Sequence, residues 1–193
     1  MRTELETDLD LELGLAESVE GWMSREELAA LAAAAARLAP GLCAVEIGNY
    51  RGRSTVALAL GARRSRARLF SVDPHDEFVG PRGGRFGRED MAQLYANLAR
   101  AGVGAEVALV CLPSAAAARA FEGAIGLLFI DGDHRYAAVR RDFEAWSPHL
   151  APGAEVIFDD LDYPDVARLV GELVACGRLQ PLGTIGKLGR FLA

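Results

Sequence analysis

Three aspartates and a histidine carry the strongest chemical signal in this 193-residue chain. Asp131 closes the apolar run LLFI, Asp159 and Asp160 close the run VIF, and His134 follows shortly after Asp131. If the two runs are neighbouring strands, about 4.8 Å apart, three carboxylates converge at one edge of a sheet. Like charges that close force protonation unless something positive offsets them. A hard divalent cation does so, and Mg²⁺ suits a site that keeps positions open for substrate and water. The alternative is that Asp131 only caps a helix and Asp159 only bonds backbone in a turn. A histidine can take a proton at neutral pH. An aliphatic hydroxyl is too weak an acid for histidine alone, and a metal on that oxygen would lower its pKa as it does for water. Metal and His134 thus fit one chemistry, the activation of a hydroxyl; the alternative for His134 is a surface loop. His149, in SPHLAPG, reads as structural.

The second constellation is VEIGNYRGRST, residues 45–55. Glu46 and Gly48 end a strand, Gly52 follows, and Ser54 and Thr55 start a helix. Glycine is needed where backbone passes close to a ligand, and a helix start offers free N–H groups to an anion. The spacing is G-x-x-x-G, not the G-x-G-x-x-G that cradles a pyrophosphate. Asp73 ends the next strand, where an acid accepts both ribose hydroxyls. The combination predicts an adenosyl cofactor bearing a carboxylate and no phosphate, as S-adenosylmethionine does; the alternative is an ordinary strand-to-helix turn. Between Asp73 and the next helix lies PHDEFVGPRGGRFGR, residues 74–88, with Gly80, Gly83, Gly84 and Gly87 for mobility and Phe78 and Phe86 to bury. It reads as a lid in which Arg82, Arg85 and Arg88 meet a substrate anion, or as a solvated loop. His75 stands within reach of the same centre.

These residues must be positioned by alternating elements. Short apolar runs at Cys43–Ile47, Leu69–Val72, Val107–Val110, Gly126–Ile130 and Glu155–Phe158 read as buried strands. Helical patterns fall at 54–62, 89–101, 114–121, 136–146 and 164–176. Strands without alternation, separated by helices, indicate a parallel sheet covered on both faces. The tail, 179–185 and 188–192 around Gly186-Lys187, reads as a closing hairpin. Near the start, Ser24 and Glu27 form a capping box, Met23 and Leu28 a staple, and Pro40-Gly41 ends the helix. One domain over 1–193 is expected: an arm and helix to residue 40, then an α/β Rossmann-like core, with the acidic residues 1–13 frayed or held in a contact.

The run of VEIGNYRGRST, SVD, LLFIDGDH and APGAEVIFDDL resembles class I S-adenosylmethionine-dependent methyltransferases over nearly the whole chain. It is nearest to bacterial metal-dependent macrocin-type sugar O-methyltransferases and the cephalosporin-hydroxylase-like group, which EGWMSREE also resembles. The resemblance implies a seven-stranded sheet in the order 3-2-1-4-5-7-6 with the last strand antiparallel. It implies that Glu46, Gly48, Tyr50, Gly52 and Ser54 hold the methionine part, Asp73 the ribose and Ser114 the adenine. It also implies that Asp131, beside the cofactor, joins Asp159 and Asp160 as a metal ligand, with Asp133 less directly involved. Catechol-type relatives place a lysine where His134 stands; this chain's single lysine, Lys187, lies near its end.

Composition excludes other classes. A net charge of −6 argues against wrapping nucleic acid. No apolar run approaches the roughly 18 residues of a membrane span, and the acidic start is not a targeting segment, so a cytoplasmic location is expected. Cys43, Cys111 and Cys176 lack CxxC spacing and are expected as buried thiols. The expected activity is Mg²⁺-dependent methyl transfer to a hydroxyl of a small polar acceptor such as a sugar or glycosylated metabolite, in a possible homodimer. Alternatives are catechol-like methylation, against which few aromatics near the site count, and a non-catalytic cofactor-binding partner.

Overall fold

The computed structural model describes residues 12–80 and 84–193. Ser24 is extended (φ −72°, ψ 165°), its Oγ accepts from the Glu27 N–H, and Glu27 accepts from the Ser24 N–H. This capping box starts helix α1 (Arg25–Ala36). Met23 and Leu28 are buried in one apolar cluster, as the expected staple requires.

The sheet strands are β1 (Cys43–Ile47), β2 (Leu69–Val72), β3 (Val107–Val110), β4 (Ile125–Ile130), β5 (Leu150–Phe158), β6 (Gln180–Ile185) and β7 (Leu188–Leu192). The intervening helices are α2 (Arg53–Ser65), α3 (Arg88–Ala101), α4 (Ser114–Arg119), α5 (Tyr136–Trp146) and α6 (Pro164–Ala175). The order is β3-β2-β1-β4-β5-β7-β6, with β7 antiparallel to both neighbours and the rest parallel. Side chains alternate across the sheet. Leu127, Phe129 and Ile157 join α1, α2 and α3 on one face, while Leu128, Ile130, Val156 and Phe158 join α5 and α6 on the other. That two-sided burial is why the strand sequences show no polar alternation.

Differences from the sequence reading are local. Strand β5 starts at Leu150 rather than Glu155, because a register irregularity lets Leu150 pair with Ile125 before Glu155 pairs with Leu127. Helix α4 stops at Arg119, and α2 runs on to Ser65. The 74–88 segment holds a two-stranded ribbon, Phe78–Val79 against Arg85–Phe86, closed by Gly80 N–H to the Gly84 carbonyl at 2.8 Å. Arg82 and Gly83 lie outside the described residues, as do residues 1–11. Leu13 is buried in the core, so the arm is docked by that point. Of the cysteines only Cys43 is buried; Cys111 and Cys176 are exposed, and all three are free. Among the described residues no helix is long and apolar enough to cross a membrane.

Candidate functional site

The strand order reverses direction at β1, which has β2 on one side and β4 on the other. Helices leave such a point on opposite faces and open a crevice at the carboxyl edge, where α/β sheets bind ligands. The ladder continues past the strand ends: Gly48 N–H bonds the Val72 carbonyl, Asp131 N–H that of Ile47, and Asp159 N–H that of Ile130. Gly48, Asp73, Asp131 and the Asp159-Asp160 pair are thereby brought to one edge. They line a cavity of about 610 Å³, within the range for small-molecule sites.

One half of the cavity is the β1–α2 loop. Gly48 has φ +84°, and a Cβ there would stand 2.1 Å from the Asp131 carbonyl oxygen. Among the described residues, three of the four non-glycine residues with positive φ, Tyr50, His75 and Asp160, line this cavity. Such backbone concentrates at functional sites because surrounding contacts must enforce it. Asp73 accepts from the N–H groups of Asn49 (3.1 Å) and His75 (2.8 Å), which anchors the carboxylate and leaves it acceptor capacity. Ser54 and Tyr50 line the cavity too. Ser114 does so while accepting from Trp146 Nε1 at 2.9 Å. His149 packs edge-on to Phe121, away from the cavity, as a structural residue would.

Glu46 and Gly52 are not on the cavity wall. Glu46 lies fully buried behind it and accepts from Ser54 Oγ (2.6 Å), Thr55 Oγ1 (2.7 Å) and Ser71 Oγ (2.7 Å). Asn49 Nδ2 extends the network to Ser71. Burial raises the Glu46 pKa from 4.5 to about 7, outweighing the three hydroxyl donors. The folded state therefore holds this proton where the unfolded chain releases it. Stability should fall as pH rises from about 4.5 to 7 and level off above. Thermal melts of the unmodified chain and of Glu46→Gln across that window should diverge, with the variant showing the flatter profile. Parallel profiles would mean that Glu46 titrates normally.

The other half holds the acids. Asp131, Asp159 and Asp160 do meet, as their positions predicted, but with a residue the sequence analysis leaves out. Lys187 Nζ lies 2.8 Å from Asp159 Oδ2 and 2.9 Å from Asp160 Oδ1. Pairing of β5 with β7, with Phe158 opposite Gly189, carries the Gly186-Lys187 turn beside the carboxyl end of β5. Burial disfavours the ammonium, yet the Asp159 charge and the two hydrogen bonds overcome it and hold the Lys187 pKa above its ordinary value. Desolvation, then the Asp159 charge, raises the Asp131 pKa well above its ordinary value. His134 sits between acids, Nδ1 at 3.3 Å from Asp160 and Nε2 at 3.4 Å from Asp131. Asp133 also lines the cavity and is held in an ion pair with Arg135.

A divalent ion fits this donor set poorly. Two of its carboxylates already face an ammonium, which a divalent ion would have to displace, although the buried Asp159 Oδ1 has no hydrogen-bond partner among the described residues. Among the described residues no group of three or more His, Cys, Asp or Glu side chains is disposed to hold a metal.

Aromatic rings scattered in the sequence gather at the mouth. Trp22 stacks on Tyr50 (5.2 Å between centroids), Phe86 packs edge-on to Tyr50 (5.4 Å), and Phe78 stacks on Phe86 (5.5 Å). All four line the cavity. Sequence spacing offered no signal for this, since three separate segments contribute.

A family model described as a methyltransferase domain matches residues 45–161. The fold is similar to that of the O-methyltransferase NovP, with a TM-score of 0.79 at 13% identity, covering 98% of this chain and 99% of that one. It is similar to the calicheamicin methyltransferase CalS11, with a TM-score of 0.63 at 19% identity over 100% of this chain and 94% of that one. A third is the O-methyltransferase TomG from Streptomyces achromogenes, solved with SAM, with a TM-score of 0.64 at 17% identity over 100% and 89%. A curated relative, the uncharacterized protein R132 of Acanthamoeba polyphaga mimivirus, is 42% identical over 55 residues, 26% of this chain. The match spans a quarter of that relative's length.

Proposed function

We propose, from the premise that this chain belongs to the methyltransferase-domain family, that it transfers a methyl group from S-adenosylmethionine to a hydroxyl of a small polar acceptor, such as a sugar or glycosylated metabolite. One observation carries the reading: a single cavity joins the Gly48–Asp73 loop pair to His134 and its acids. Asp73 takes the ribose hydroxyls. The free N–H groups at the start of α2 receive the carboxylate. Asn49 Oδ1, buried and without a partner among the described residues, is an acceptor suited to the amino group. When bound, the cofactor supplies an electrophilic methyl on a sulfonium. His134 takes the acceptor's hydroxyl proton at Nε2 in concert with O–CH₃ bond formation and C–S cleavage, when the oxygen has become far more acidic than the free alcohol. No alkoxide has to form first, and no metal is required for that step. Most of the rate comes from holding both reactants in line. NovP, CalS11 and TomG, all named as methyltransferases, share the fold that positions these groups.

The aromatic wall favours a second reading, an aromatic hydroxyl. A phenol, with a pKa near 10, is within easier reach of histidine than an aliphatic alcohol, and the four rings offer a stacking surface. Calorimetry with S-adenosylmethionine and radiolabelled methyl transfer to a panel of sugars and catechols separates the two. Asp73→Ala should weaken cofactor binding by about 10- to 100-fold, the loss of one or two hydrogen bonds to a charged group. Unchanged affinity in that variant, or no heat with the unmodified protein, would falsify the cofactor assignment.

A further inference from the structure

Lys187 is held with unusual completeness for an end-of-hairpin residue. Its N–H donates to Glu27 Oε1 at 2.8 Å, and its carbonyl accepts from Leu161 N–H at 2.9 Å. Glu27 is the same residue whose other oxygen closes the capping box of α1. Gly186 has φ +57°, and a Cβ there would stand 2.3 Å from Glu27 Oε1, so only glycine lets the turn close on that carboxylate. One helix start and one loop thus grip the backbone that carries the ammonium. The side chain then reaches two aspartates that are only 4% and 5% exposed. Two nearly dehydrated carboxylates are costly unless paired, and here the pairing partner is part of the chain.

We infer that the Lys187 ammonium occupies the place of a divalent cation in this site, bridging Asp159 and Asp160 and offsetting one of their two charges, so that no added metal is needed. The role rests on the methyl-transfer reading for its use, but not for its test. A divalent ion competes for the oxygens the lysine holds and meets its charge; the lysine is tethered and cannot be removed by a chelator. His134 thus stands beside a carboxylate, Asp160, that also meets the ammonium.

The probe is Mn²⁺, followed by electron paramagnetic resonance in the purified full chain, which needs no turnover. The unmodified protein should show no stoichiometric Mn²⁺ site, and its methyl transfer should be unaffected by EDTA. Lys187→Met should gain one site with at least about hundredfold tighter Mn²⁺ binding, as expected when a neighbouring positive charge is removed. Adding Asp131→Asn should remove that site again. One Mn²⁺ per unmodified chain, or activity abolished by EDTA, overturns the inference, as does a folded Lys187→Met that binds no Mn²⁺. Should Lys187→Met not fold, the unmodified chain decides by its Mn²⁺ stoichiometry alone. Failure to bind S-adenosylmethionine would overturn the methyl-transfer reading while leaving the Mn²⁺ result intact, so the two failures are told apart.

Discussion

Replacing His134 with alanine is expected to lower methyl-transfer turnover by about 10²- to 10⁴-fold at neutral pH, the range for a lost general base, while cofactor affinity changes little. In the proposed reaction the ring serves as the base. It lines the cavity with its side chain 20% exposed, and its two nitrogens face different carboxylates. For that role Nδ1 would carry the proton toward Asp160, 3.3 Å away and itself fixed by Lys187. Nε2, 3.4 Å from Asp131, is at the limit of a hydrogen bond and is free to meet a hydroxyl instead. Single-turnover rates and a pH profile decide the matter. His134→Ala should lose the neutral limb of the profile along with rate, and His134→Gln, which keeps the polar bulk but not the basicity, should not restore it. A rate and profile matching the unmodified chain would remove His134 as base.

The sequence made the sheet legible because each strand is buried on both faces, and continuous apolar runs follow from that directly. Gly48, Asp73, Asp131 and the Asp159-Asp160 pair were legible because parallel strands deliver their carboxyl ends to one edge, so that the last residue of each run is a site candidate from topology alone. Lys187 and the aromatic wall were not. The hairpin turn that carries the lysine is legible, but its reach to the acids depends on β7 pairing beside β5 from the other end of the chain, which has no local signature. Trp22, Tyr50, Phe78 and Phe86 come from three segments whose meeting is set by how the N-terminal arm and the ribbon fold over the mouth. Glu46 stands where the motif puts it, as a buried acid that braces the loop from behind the cavity wall.

Gly48→Ala should be the most damaging small substitution in the molecule. The added methyl would stand 2.1 Å from the Asp131 carbonyl oxygen, 2.7 Å from its carbon and 2.9 Å from Gly132 Cα, all backbone atoms that cannot swing aside. Alanine must also adopt φ +84°, which costs about 1–2 kcal/mol by itself. Relief requires β1 and β4 to part at their carboxyl ends, the point where Asp131 N–H bonds the Ile47 carbonyl. A total of roughly 2–4 kcal/mol is expected, lowering Tm by about 4–16 °C in a chain of this size. The loop that receives the cofactor and the strand end that carries Asp131 and His134 share this contact, so both halves of the site move together. Cofactor affinity should therefore fall at least about 100-fold and turnover with it, unlike His134→Ala, which spares affinity. Calorimetric titration beside a thermal melt reads both effects. A variant with native Tm and native affinity would mean that the two loops do not meet at Gly48, and the cavity that joins donor to acceptor would lose its hinge point.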